Sequence, residues 1–112
     1  VYKTTENRIY INRGDSATFP LTLTKADGTQ FLPDSNVGEK VTFTVRSGPK
    51  SENYPVLIQK NITGTRIEIN PEDTAALDYG SYIFDVEAVW MEEELETKTV
   101  IIGQFNVLAE VT

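Results

Sequence analysis

Apolar and polar residues alternate along most of this chain, in short blocks separated by turn-forming clusters. In Thr18-Phe19-Pro20-Leu21-Thr22-Leu23-Thr24, the residues Phe19, Leu21 and Leu23 share one face and the threonines the other, the period of two that marks a half-buried strand. Val41-Thr42-Phe43-Thr44-Val45 repeats the pattern, with Val41, Phe43 and Val45 inward. The longest instance runs from Gly80 to Trp90, where Tyr82, Phe84, Val86, Ala88 and Trp90 alternate against Asp85 and Glu87. Shorter strands are predicted over 8–11, 56–62 and 66–70. A final strand is expected over 95–111, with Gly103 as its bulge or kink. Pro20 has no N–H to give a ladder, so it marks an edge or a bulge.

The separators carry turn chemistry. Asn12-Arg13-Gly14-Asp15 and Lys25-Ala26-Asp27-Gly28-Thr29 read as tight turns. Residues 30–40 and 47–55 are polar loops containing prolines, and Thr63-Gly64-Thr65 reads as the turn of a hairpin. Pro71-Glu72-Asp73-Thr74-Ala75-Ala76-Leu77 has a proline in its first turn, acids near the positive helix end and Asn70 as a cap, which predicts one or two helical turns.

Asp78-Tyr79-Gly80-Ser81-Tyr82-Ile83-Phe84 follows, and it spells a tyrosine corner. Gly80 takes a backbone angle closed to other residues, while Tyr82 buries its ring and ties its hydroxyl to an upstream backbone group. Phe84 stands where a disulfide cysteine would be in an antibody domain. About seven strands at this spacing predict an all-β fold, an immunoglobulin-like Greek-key sandwich with one short helical turn near 71–77. The expected core draws on Phe19, Leu21, Leu23, Phe43, Val45, Ile67, Ile69, Tyr82, Phe84, Val86, Phe105 and Val107, with Asp78, Gly80, Tyr82 and Phe84 forming the structural corner.

A length of 112 residues fits one domain over 1–112, long enough to bury roughly two-thirds of its unfolded surface. Apolar residues at 39% argue against a disordered tail, and the longest apolar run, 99–103, is far too short to span a membrane. The chain begins at Val1 without an initiator Met, so an upstream segment or leader is compatible with it. The absence of cysteine excludes disulfides and thiol catalysis, and the absence of histidine removes the commonest general base and metal ligand. The net charge of -7 is uneven: residues 1–56 hold seven bases and six acids, residues 57–112 three bases and eleven acids. A field of that sign repels phosphate backbones and anionic lipid, so neither nucleic acid nor membrane is an expected partner.

Candidate chemistry is sparse. Arg13-Gly14-Asp15 spells the integrin tripeptide, yet glycine and aspartate are what a tight turn selects on its own. Asn61-Ile62-Thr63 fits a glycosylation acceptor at a strand end. Asp27 with Asp34, and Glu92-Glu93-Glu94, offer carboxylates to calcium without the spaced ligand ladder of a calcium loop. The serines lack a histidine partner, and no glycine-rich phosphate loop occurs, so the expectation is no enzyme, no cofactor and no metal. Tyr54, Tyr79 and Trp90 are the candidates for an interaction surface; for Trp90 the competing reading, and the favoured one, is closure of the core end.

Several segments together resemble the N-terminal β-sandwich of phage baseplate upper proteins and related tail or head-fibre domains. They are Ile11-Asn12-Arg13-Gly14-Asp15-Ser16 running into Phe19-Pro20-Leu21-Thr22-Leu23-Thr24, then Asp27-Gly28, Val41-Thr42-Phe43-Thr44-Val45 and Ile69-Asn70-Pro71-Glu72-Asp73-Thr74. Gly80-Ser81-Tyr82 and Gly103-Gln104-Phe105-Asn106-Val107 complete the set. The resemblance implies a phage or prophage virion structural protein that docks onto other virion proteins, self-associates in many cases, and is assembled in the bacterial cytoplasm. Baseplate upper proteins continue into a coiled or receptor-facing region, whereas this sequence stops at Thr112. The alternative is a bacterial surface or carbohydrate-binding immunoglobulin-like module, with Tyr54, Tyr79 and Trp90 lining a shallow site.

Overall fold

Seven strands and one short helix build the protein in a computed structural model that describes residues 7–21, 23–25, 27–48, 53–62, 66–91 and 93–109. The strands are β1 (Asn7–Asn12), β2 (Ala17–Pro20), β3 (Lys40–Arg46), β4 (Val56–Ile62), β5 (Arg66–Ile69), β6 (Gly80–Met91) and β7 (Leu95–Leu108); α1 (Pro71–Ala75) joins β5 to β6. The larger sheet has the order β1-β7-β6-β3-β4, and β2 pairs with β5 in a second sheet. All pairings are antiparallel except β1 with β7, which run parallel from Asn7↔Gly103 to Asn12↔Leu108.

The two sheets face each other across one buried cluster. β3, β6 and β7 contribute Phe43, Val45, Phe84, Val86, Phe105 and Val107, and β5 contributes Ile67 and Ile69. Phe43 sits at the centre, its ring centroid 5.4 Å from that of Phe84 and 6.2 Å from that of Phe105, both in the tilted geometry that aromatic quadrupoles favour. Phe19 and Tyr82 are only partly buried and pack against the margin of this cluster. Val41, read as inward-facing, and Ile9, Ile11, Phe31, Ile58 and Ile62, outside the predicted core set, are also enclosed.

Two departures from the predicted strands have local causes. β2 stops at Pro20, opposite Arg66, rather than continuing to Thr24. Proline cannot donate to the ladder, and beyond it Leu21 and Leu23 keep their places in the core without regular pairing. Leu23 is instead fixed through its carbonyl, which accepts from Phe31 N at 2.8 Å.

The irregularity of β7 lies before Gly103, not at it. Val86 pairs with Ile101 and Glu87 with Thr99, so one residue is extra between them, while Gly103 is held in register with Phe84 and Asn7. The predicted hairpin turn 63–65 and the strand end 110–111 lie outside the described residues, as do Ala26, Glu92 and residues 49–52. Among the described residues no helix is long and apolar enough to cross a membrane.

At the predicted corner the hydroxyl bond and the glycine angle are present, while the Tyr82 ring is only partly buried. Tyr82 Oη donates to Asp78 O at 2.7 Å, and Gly80 has φ 145°, in the range that L side chains resist. Phe84 is buried one alternation further on, against Phe43.

Candidate functional site

Twelve residues of β6 separate the two ends of the larger sheet, about 40 Å at strand rise, and they also separate the predicted surface aromatics. Tyr79 precedes Gly80 at one end and Trp90 lies at the other. Tyr54, in the connection from β3 to β4, belongs to the Tyr79 end, because Arg46 pairs with Ile83 whereas Lys40 pairs with Val89. The three rings therefore do not line one site.

Each ring has its own local setting. Trp90 packs against the buried cluster, and its Nε1 is enclosed without a hydrogen-bond partner. Tyr54 lies over Gly48 so closely that a Cβ there would be 2.6 Å from the ring. Tyr79 is half exposed, with the Arg13 guanidinium 4.4 Å from its ring centroid.

Arg13 belongs to a structural clamp. Its Nη2 donates to Tyr79 Oη at 3.0 Å and its Nη1 to Leu77 O at 3.4 Å, while Gly14 N donates to the buried Thr74 Oγ1 at 2.9 Å. The turn between β1 and β2 is thereby docked on α1 and the corner. Asp73 secures the same helix twice, accepting from Asn70 N at 2.7 Å and pairing with Lys60 Nζ of β4 at 2.7 Å.

The loop carboxylates considered for calcium are engaged in turns. Asp27 Oδ1 accepts from Thr29 Oγ1 at 2.6 Å and Thr29 N at 2.9 Å, and these bonds hold its carboxyl below the usual range. Asp34 Oδ1 accepts from Asn36 N at 2.9 Å, which caps the 3₁₀ turn Ser35–Val37. Of the Glu92-Glu93-Glu94 run, Glu92 lies outside the described residues and the other two are exposed. The acceptor pattern at Asn61 has its Thr63 outside the described residues; Asn61 itself is paired with Thr42 inside β4.

Two surfaces remain that fold-building alone does not account for. The first is the tip where β6 turns into β7. Met91 pairs with Leu95, and Leu95 reaches over Gly38, where a Cβ would lie 3.1 Å from its Cδ1. Glu39 ties the neighbouring loop to the hairpin, accepting from Asp34 N at 3.1 Å and from Met91 N at 2.9 Å. Val37, Met91 and Leu95 are exposed, and the exposed Glu93 and Glu94 lie in the turn between the last two.

The second surface is a groove of about 320 Å³ on the outer face of the larger sheet. β3 lines it with Lys40, Thr42, Thr44 and Arg46, β4 with Gln59 and Asn61, and β6 with Asp85 and Glu87. Thr44 and Asp85 form its floor and are buried, at 4% and 8% exposure, although they point away from the core. Arg46 Nη1 meets Asp85 Oδ2 at 3.0 Å, Gln59 Nε2 donates to Thr44 Oγ1 at 3.4 Å, and Thr42 Oγ1 donates to Asn61 Oδ1 at 3.5 Å.

These groove residues were not singled out in the sequence as a site. The alternation shows Asp85 and Glu87 facing outward, but their juxtaposition with Gln59 and Asn61 depends on β3 lying between β4 and β6. Compared with known proteins, the chain matches no family model and no curated protein.

Proposed function

We propose that the chain is a virion structural protein of a phage or prophage, a baseplate, tail or head-fibre assembly module that works through protein–protein contacts. The observation that carries this reading is the β6–β7 tip, where the paired Met91 and Leu95 are exposed, Leu95 covers Gly38 next to the exposed Val37, and Glu93 and Glu94 lie in the turn. Such a spot suits a partner protein with an apolar centre and a basic rim, which would gain both desolvation and charge complementarity. The sequence resemblance to phage attachment sandwiches supports the same reading. The all-β architecture, two sheets packed over one core, is compatible with the sandwich that this resemblance implies.

The test is immunogold labelling of particles released by prophage induction from cells that encode the chain. The reading expects gold at one fixed substructure of the particle, and loss of that label when Leu95→Lys is encoded in place of the native residue. Unlabelled particles, with the chain found on the cell wall, would instead favour the surface-module alternative. That alternative gains nothing from Tyr54, Tyr79 and Trp90, because Tyr79 and Trp90 stand at opposite ends of β6.

A further inference from the structure

We infer that the outer groove of the larger sheet is a binding site for a neutral saccharide, seated across β4, β3 and β6. The argument begins with its volume, about 320 Å³, which lies within the roughly 300–1,000 Å³ span of small-molecule sites. Most such sites are largely apolar, whereas every residue lining this one is polar or charged. A ligand that gains there must offer hydrogen-bonding groups along its length.

Charge narrows the class. Lys40 and Arg46 bring two cations and Asp85 and Glu87 two carboxylates, so the lining is formally neutral. An anionic ligand would meet Asp85 and Glu87, and a metal ion would meet Lys40 and Arg46, each at a cost in repulsion. A hydroxyl-rich neutral ligand meets neither penalty. With Gln59 Nε2 turned to Thr44 and Asn61 Oδ1 to Thr42, the Gln59 carbonyl oxygen and the Asn61 amide hydrogens together offer an acceptor and donors to hydroxyls that both donate and accept.

Position excludes an extended peptide as the better fit. Peptides that add a strand need an open backbone edge, and this groove presents side chains on the face of three paired strands. Its floor is also preorganised: the Arg46–Asp85 pair and the Gln59–Thr44 bond fix the side chains before any ligand arrives. Gln59 and Asn61, on the exposed wall, are the groups that would select the ligand.

The test is ¹⁵N–¹H NMR of the chain titrated separately with maltohexaose, cellohexaose and chitohexaose, with a polygalacturonate hexamer as the anionic comparator. The expected result is saturable shifts of β3, β4 and β6 amides with at least one neutral hexasaccharide and none with the comparator. Gln59→Ala and Asn61→Ala should each weaken that binding about tenfold, the effect of losing a hydrogen bond to the ligand. Glu68→Ala, on β5 of the other sheet, should leave it unchanged, and thermal unfolding should report all three variants folded. The inference is overturned if no neutral hexasaccharide shifts these amides, if only the anionic one does, or if both groove variants bind as tightly as the native chain. None of these outcomes touches the particle-labelling result, so the two readings stand or fall separately.

Discussion

The inner and outer faces of β3 and β6 belong to the same residues in alternation, yet they obey different rules. Inward, Phe43, Val45 and Val86 are wholly enclosed and Phe84 nearly so. Outward, at the intervening positions, Thr44 and Asp85 are almost as buried but polar, and each is satisfied by a named partner. Burial on the inner face contributes stability through area removed from water. Comparable burial on the outer face contributes little unless every polar group is paired, so its residues are better explained by what they hold than by what they stabilise.

That contrast can be broken or sharpened by substitution. Phe43→Ala should cost about 3–5 kcal/mol, because a fully enclosed ring leaves a cavity among Phe84 and Phe105; the shift of the urea midpoint measures it. Asp85→Ala, on the neighbouring strand and the other face, should cost about 1–3 kcal/mol by leaving Arg46 half-buried without this partner. If Asp85→Ala proved as damaging as Phe43→Ala, the two faces would not differ in kind.

Tyr82→Phe should cost about 0.5–1.5 kcal/mol through loss of the bond to Asp78 O. Burial, and secondarily the Asp78 carboxylate, push the Tyr82 phenol above the ordinary tyrosine value of about 10. The unfolded chain therefore gives up this proton first, and the stability the corner contributes is present below about pH 10 and lost as pH rises through the raised value. Tyr82→Phe should blunt that alkaline decline, which unfolding curves at pH 9 and pH 11 would show. Gln59→Ala, which removes the long hydrogen bond to the buried Thr44 hydroxyl, should cost about 0.5–1 kcal/mol in the same assay.

Much of the inner face was legible because facing is a local property. The alternation in 41–45 and 82–90 assigns each side chain to a layer without knowledge of its neighbours, and the corner spelling fixes Gly80 and Tyr82. The bulge was misplaced because Gly103 is the conspicuous residue, whereas the real signal is the unbroken run Val100-Ile101-Ile102, which no strict alternation can accommodate. The groove was not legible, since it exists only once partners far apart in sequence, such as Thr44 with Gln59 and Thr42 with Glu87, are set side by side. The tip was equally hidden: nothing local says that Leu95 lies over Gly38.

The pairing of β2 with β5 covers only four positions, from Ala17↔Ile69 to Pro20↔Arg66, while β6 and β7 are joined along twelve. With no disulfide between the layers, the smaller sheet is held by a brief ladder, side-chain packing and the polar clamp between the β1–β2 turn and α1. Solvent deuterons should thus enter the molecule from that side, reaching Thr18 and Glu68 amides through shallow fluctuations long before those of Phe84 and Phe105, whose release demands that the whole domain come apart.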